Sequence, residues 1–526
     1  MYIKYNKKGI IKMANLLEAY KNRLAISESI HQKSHNGAKM SAQKKLMIAS
    51  VLNNTSRFLN EAFSDSAAVQ KSAIGDWKKF CLNVSTTALP NLILPELMLT
   101  QPMTSITGYV TYLRYTLGVN KGGVTQGQLV NAHHRLGKMD EDRVNYTSDR
   151  VVEAITFATK EVVDEESGET TVENTDEIVF AWTPVVPTSV KVLVGNEYQP
   201  LTADANGKFH APEGATKVAY EYNNVMIPQR GNGVDAIPTL TANMTHIQLH
   251  AKARRIAVYY SQIAAFQAKT DYGYDLGEQL SAQAQGELAY EIDTEGVLLL
   301  RNGAEFDARL AFPAYELDAA GENRTYISRS QYYEQFNEIL ARAKKIIYQR
   351  TQKFAPNYMV VGANILTILP YVKGWSAAPA STVNGPYYAG TVDGLKVYVS
   401  PSIDENEFFF GVNGSDLQTA AAVYAPYMAI VPTQLLGFAD GAMSQGFSTM
   451  YDMKLLNTYN RTEAGKIQDM PSHIAPDQVE FPDIGEFSYM LVKGMFYTET
   501  NAAKYEALKG DDNFATSYAK TAVDWA

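Results

Sequence analysis

A single cysteine, Cys81, stands in 526 residues. That excludes a disulfide scaffold and a thiolate zinc site together, and it suits a reducing compartment. A lone cysteine is read as a small buried hydrophobe and not as a nucleophile. No run approaches the ~18 apolar residues that cross a bilayer, so no membrane partner is expected. The opening "MYIKYNKKGIIKM" is basic but lacks a continuous apolar core and a small-residue cleavage site, so it is not a secretory signal; Met13, followed by "ANLLEAYKNRL", is an alternative start. There is no GK[ST] phosphate loop, no G-x-S-x-G elbow and no Cys/His pair with credible chemistry. Positive charge is also scarce overall: a net −9 argues against a general nucleic-acid binder.

What is present is a long chain of ordinary globular composition, 46% hydrophobic and 20% charged, with room for two or three domains. The charge is unevenly spread. Residues 1–60 hold eleven Lys/Arg against two Asp/Glu, a balance of +9, which leaves −18 for the rest. A basic arm precedes an acidic body. Such an arm meets an acidic protein surface, including the body of a neighbouring copy, in preference to nucleic acid.

Residues 14–75 read as helix. Leu46, Ser50, Leu52 and Phe58 make no clean stripe, which predicts an arm that packs weakly or against partners. The next stretch, "LPNLILPELMLTQPMTSITGYVTYLRYTLG", is apolar and carries Pro90, Pro95 and Pro102, which bias their neighbours toward extended backbone. Residues 108–116 alternate as a strand. An extended apolar segment with no hairpin partner beside it must bury its side chains on a large sheet or on a neighbouring subunit.

Short alternating strands follow in "EIVFAW", "SVKVLVG" and "TKVAYEYN", with Val190, Val192 and Val194 on one face and Asn206-Gly207 as a hairpin signal. They read as a small β module at about 178–223; the acidic run "KEVVDEESGETTVENTDE" ahead of it reads as an exposed loop. "HIQLHAKARRIAVYYS" is a strand leading to a long helix striped by Leu276, Leu280, Ala284, Leu288 and Ile292. A second helix begins at a Ser328/Gln331 capping box and buries Tyr332, Phe336, Ile339, Leu340, Ala343 and Ile346. Strands "NYMVVG", "YYAGTVDGLKVYVSP", "EFFFG" and "GEFSYMLVKGMFYTE" complete an α+β chain with mixed sheets.

Candidate chemistry is thin. "GNGVDA" at 231–236 has dinucleotide-loop glycines, but Pro228 precedes it and Pro238 follows, so it lacks the flanking strand and helix. His246 and His250 sit on a strand, where four residues span about 13 Å, too far for one metal ion. His133 and His134 point two ways. Glu287 and Glu291 lie one turn apart on the wet face of a helix. No catalytic, cofactor or metal site is expected.

Several blocks, in collinear order, resemble one family. They are the ribbon with Gln101-Pro102-Met103, Gly108 and Arg114; then "AKARRIAVYYSQIAAFQAKTDYGYDLGEQLSAQAQGELAYEIDTEGV"; then "YYAGTVDGLKVYVSP" with Tyr424-Ala425-Pro426-Tyr427; then "QGFSTMYDM", "GKIQDMPS" and "YMLVKGM". Together they are similar to the major capsid proteins of T4-like tailed phages, which have the HK97 fold. The resemblance implies a basic N-terminal arm over 1–88, the ribbon over 89–120, and an extended loop region over 121–240 carrying the β module. It implies a peripheral domain with a spine helix over 241–324, an axial domain over 325–450, and a return to the peripheral domain over 451–526. It implies hexamers, with or without pentamers of the same chain, tiling an icosahedral shell in the virion after assembly in the host cytoplasm. Partners would be other copies, scaffold, portal and decoration proteins, and packaged double-stranded DNA held nonspecifically. Family members commonly lose an N-terminal propeptide after Leu/Ile-x-Glu. Leu59-Asn60-Glu61 followed by Ala62 has that form, as do Leu16-Leu17-Glu18 and Ile26-Ser27-Glu28. Nothing identifies a Lys–Asn crosslink. A paralogous vertex protein, an encapsulin-like compartment and an enzyme with a β accessory domain are the alternatives.

Overall fold

The computed structural model describes residues 15–34, 39–64, 81–86, 89–118, 146–163, 170–195, 197–222, 239–273, 275–318, 328–351, 353–379, 385–433, 435–461, 467–468 and 485–503. Two helices open it, α1 (Lys21–Ser34) and α2 (Ala42–Ser64). On α2, Met47, Ile48, Val51, Leu52, Thr55 and Leu59 recur at helical spacing, and all are buried. The expectation of weak packing is therefore overturned. The true stripe is out of phase with Leu46 and Phe58, and a buried cation, Lys44, stands at its start, where a search for apolar periodicity passes over it. Residues 65–75 of the expected helix lie outside the described residues.

The ribbon is not one extended strand. Leu89–Asn91 makes a 3₁₀ turn, Leu94–Leu97 one helical turn with Pro95 near its start, and Leu99–Thr100 a two-residue strand. Leu89, Leu92, Ile93, Leu94, Leu97 and Met98 are buried in one cluster with Ile292, Val297 and Leu300. The ribbon from Leu89 to Met98 is thus covered by its own chain, as the sheet alternative anticipated. Leu99–Thr100 pairs in parallel with Val423–Tyr424, and Asn413 Nδ2 donates to Glu96 O at 2.9 Å.

The strand Thr107–Leu117 runs antiparallel to Leu240–His250 through eleven pairs, from Thr107 opposite His250 to Leu117 opposite Leu240. The expected strand finds its partner only after the whole β module has intervened. That module has a four-stranded sheet, in the order Arg150–Ala154, Ala215–Glu221, Lys191–Val194, Glu197–Pro200. Its core is Val151, Ile178, Trp182, Val190, Val192, Phe209, Val218, Tyr220 and Tyr222. At the Asn206-Gly207 turn, Gly207 has φ +78°, and the Asp204 carboxylate accepts from the backbone of Asn206 and Lys208 at 2.8 Å each. Upstream, Thr156–Val163 pairs with Thr170–Val179. The two ends of the acidic run are therefore paired strands and not an exposed loop; residues 164–169 between them lie outside the described residues.

After Ala251 the strand Lys252–Ser261 enters a five-stranded sheet through Ala442–Leu455, which in turn pairs with Ala422–Pro432. A short helix, α3 (Gln262–Asp271), separates it from the long helix α4 (Leu276–Asn302). The Asp275 side chain caps α4 by accepting from Glu278 N at 3.1 Å. Ala284 and Leu288 bury against Ile430 and Phe447 of the sheet, while Ile292 continues the stripe into the ribbon cluster.

The second core is a seven-stranded sheet in which Tyr358–Val361 and Glu407–Gly411 lie wholly buried. Continuous runs such as "YMVV" and "EFFFG" are what a strand covered on both faces requires. Helix α5 (Phe336–Thr351) covers it with Phe336, Ile339, Leu340, Ala343 and Ile346, and the Ser328/Gln331 capping box forms at the preceding turn as expected. Asp393 and Gly394 take positive φ, 47° and 78°, in the tight turn between Tyr387–Val392 and Leu395–Val399.

Candidate assembly surfaces

Among the described residues no group of three His, Cys, Asp or Glu could hold a metal ion, and no helix is long and apolar enough to cross a membrane. Cys81 is fully buried with its Sγ 3.7 Å from Pro432 O, and burial pushes its thiol up to about 12. Glu287 and Glu291 are exposed on α4. His246 and His250 share a strand face, and His246 Nδ1 lies 2.9 Å from Thr111 Oγ1 on the opposite strand. The 231–236 loop and His133–His134 lie outside the described residues. Glu61 and Ala62 fall in the last turn of α2.

Two surfaces stand out by what they leave uncovered. The long hairpin spans about 34 Å for its eleven pairs. Strand alternation gives it two faces. Val110, Thr116 and Leu249 point inward and are buried, whereas Tyr109, Leu240 and Met244 point outward and are 65%, 62% and 66% exposed. The second surface lies on α3, where Ala268 alone is buried and Ile263 and Phe266 are 72% and 71% exposed. Gln262 N donates to Gly441 O at 3.0 Å and Phe438 N to Ala442 O at 2.8 Å, so α3 and the exposed Leu436 and Phe438 meet at one turn. Tyr259 projects beside them, opposite Ser444, which Leu436 pairs from the other side. Contiguous exposed apolar side chains of this kind mark contact sites. Burying each releases roughly 1.5–3 kcal/mol before the cost of association.

The hairpin was legible as a strand and α3 was not foreseen at all. Its signal was available: "QIAAF" has apolar residues with no opposing polar stripe to anchor it.

Elsewhere some charges are paired. Arg254 Nη2 sits 2.7 Å from Glu295 Oε1, and Tyr451 Oη 2.6 Å from Glu295 Oε2. Burial alone would raise the Glu295 carboxyl, yet Arg254 and Tyr451 hold it below the usual carboxylate range. Arg350 Nη2 meets Glu305 at 2.8 Å with both side chains 7% exposed.

A long helix backing a mixed sheet, a second sheet-and-helix core and a long two-stranded hairpin define an α+β fold. Superpositions on solved structures are partial. The asymmetric unit of the mature capsid of bacteriophage PhiM1 gives a TM-score of 0.30 at 10% identity, covering 52% of this chain and 79% of that one. The capsid of Myoviridae phage XM1 gives 0.29 at 11%, covering 43% and 77%. The holo-SrpI encapsulin of Synechococcus elongatus gives 0.27 at 11%, covering 50% and 78%. Scores this low carry no assignment. No curated protein matches. The family comparison decides: the chain belongs to the Major capsid protein Gp23 family, whose model matches residues 74–476. It is a tailed-phage shell protein that self-assembles into the capsomers of a virion capsid, in a structural family that is normally non-enzymatic. The family match favours this over an encapsulin-like compartment or a vertex paralogue.

Proposed function

We propose that each copy holds its neighbours through the long hairpin and the α3 surface, and that it works by repeated apolar contacts without catalytic residues. The observation that carries this is the outward face of the hairpin, with Tyr109, Met244 and Leu240 uncovered at intervals along about 27 Å. In this reading the arm spans 1–88, the hairpin and β module belong to the extended loop region ending at 240, and α4 is the spine of a peripheral domain over 241–324. The axial domain spans 325–450 and the tail returns to the peripheral domain. The proposal includes assembly in the host cytoplasm with scaffold, portal and decoration proteins, around DNA held nonspecifically by the inner face; membership of a capsid family supports it. Cleavage after Glu61 belongs to the proposal too. The bond to Ala62 lies within α2, so a protease must first unwind its last turn.

The test is electron microscopy of the natural chain and of the Leu240→Lys, Met244→Lys double variant. Shells, tubes or rings from the natural chain, and folded unassembled subunits from the variant, are expected. Normal assembly by the variant would sink the hairpin reading.

A further inference from the structure

One buried cation fastens the two arm helices to the body. Lys44 on α2 is 1% exposed, and its three ammonium protons meet three acceptors: Pro90 O at 3.1 Å, Leu92 O at 3.1 Å and His31 Nδ1 at 3.3 Å. Its nearest countercharge is Glu96 Oε1, at 3.8 Å. With Lys44 charged, its ammonium has no lone pair, and Nδ1 of His31 is then the acceptor. The imidazole is therefore neutral, with its proton on Nε2, which lies 3.6 Å from Glu96 Oε1.

Every element packed around this point contributes a charged or titratable group. His31 comes from α1, Lys44 from α2, Glu96 from the ribbon, Asp293 from α4, and Lys396, Tyr398 and Tyr388 from the seven-stranded sheet. Lys396 Nζ and Tyr398 Oη each lie 2.8 Å from Glu96 Oε2. Asp293 accepts from the backbone of Ile93, at 3.2 Å, and of Leu94. A cavity of about 460 Å³ opens on His31 between arm and sheet, lined also by Lys39, Glu96, Tyr388 and Lys396. Protons can therefore reach the imidazole without unfolding the arm.

We infer that His31 is an acid-sensitive latch for the N-terminal arm. A proton taken up at Nδ1 removes the third acceptor of Lys44, sets two cations face to face, and loosens α1 and α2 from the ribbon. The neighbouring groups respond in separable ways. Burial holds Lys44 below the usual lysine range, so its own titration also costs stability as pH falls. Burial raises the Asp293 carboxyl to about 7, so its contribution runs the opposite way, gained as pH falls. Burial keeps the Tyr398 phenol protonated throughout.

The experiment is hydrogen–deuterium exchange on the full chain across about pH 5 to 8, corrected for intrinsic exchange and read on peptides from α1. Protection of residues 21–34 should fall by about ten-fold per pH unit below the ordinary histidine range. In His31→Asn the amide Oδ1 takes the place of Nδ1 as acceptor and cannot be protonated, so protection should stay constant. In Lys44→Met protection should be lower at every pH and the acid step should vanish, because no ammonium faces the protonated ring. Unchanged protection of the natural arm at the acid end overturns the proposal. So does an acid step with the same midpoint in His31→Asn, which would place the titration on Lys44. If His31→Asn is already open at the alkaline end, Lys44→Met decides alone, and an acid step persisting there overturns the latch.

Discussion

Gly286 and Gly296 lie on the same helix, α4, and the structure assigns them opposite responses to alanine. A Cβ at Gly286 meets nothing within 4 Å, whereas one at Gly296 falls 2.2 Å and 2.6 Å from the two methyl carbons of Leu94. In a free helix interior Gly→Ala gains about 0.5–1 kcal/mol by restricting the unfolded chain and by favouring helix. Gly286→Ala should show that gain. At Gly296 the same gain is set against overpacking of about 1–3 kcal/mol, because Leu94 is fully buried and its turn is fixed from two sides by Asp293 and Asn413. The net result should be a loss of about 1–2 kcal/mol. Leu94→Ala alone should lose about 2–5 kcal/mol through the cavity it leaves. The double variant refills part of that cavity with the methyl that Gly296→Ala adds, so the two losses should fall short of additive by about 1–3 kcal/mol. Urea midpoints by pulse proteolysis of the full chain measure all four proteins. If Gly296→Ala is stabilised as much as Gly286→Ala, the ribbon is not seated on α4 and the account of its burial fails.

Two further outcomes follow from buried charge. The Asp293 carboxyl is raised by burial from 3.8 to about 7, so its contribution is fully present below 3.8 and is lost as pH rises through about 7. The span corresponds to about 4 kcal/mol, with the Lys44 charge working against it, and Asp293→Asn should flatten this slope in urea midpoints measured against pH; an unchanged slope would place the titration elsewhere. Arg350→Met should cost about 3–5 kcal/mol by stranding Glu305, and adding Glu305→Leu should recover most of it. A double variant no more stable than the single would show that Arg350 acts through its bond to Leu491 O instead.

Much of the fold was legible where the determining pattern is local. The capping box at Ser328 and the stripe from Tyr332 to Ile346 are set by residues three and four apart, and both appear as read. The turn at Asp393-Gly394 needs positive φ, which its two residues supply. The ribbon was misread because its partners, Asp293 and Asn413, lie about two hundred and three hundred residues away. The arm's stripe escapes a search for apolar periodicity because Lys44 stands in its buried face, where the carbonyls of Pro90 and Leu92, His31 and Glu96 make that position tolerable. The acidic run reads as a loop because its polarity suggests solvent, whereas its two ends pair as strands. Contact surfaces fare worst: Ile263 and Phe266 look like core residues, and only burial reveals that no core receives them.

The bond from Asn413 to the Glu96 carbonyl joins residues 317 positions apart. On a ribosome adding about 5–20 residues per second, the ribbon waits roughly 15–60 s after its own synthesis before Asn413 and the strand beside Leu99 exist. For that interval the six large apolar side chains between Leu89 and Met98 have the arm helices and, once made, Ile292, Val297 and Leu300 as cover, but lack the strand that closes the sheet beside Leu99. The ribbon is thus made long before its last contacts, and a nascent chain halted before residue 422 leaves the sheet edge beside Leu99 open to whatever chaperone or nascent neighbour is at hand.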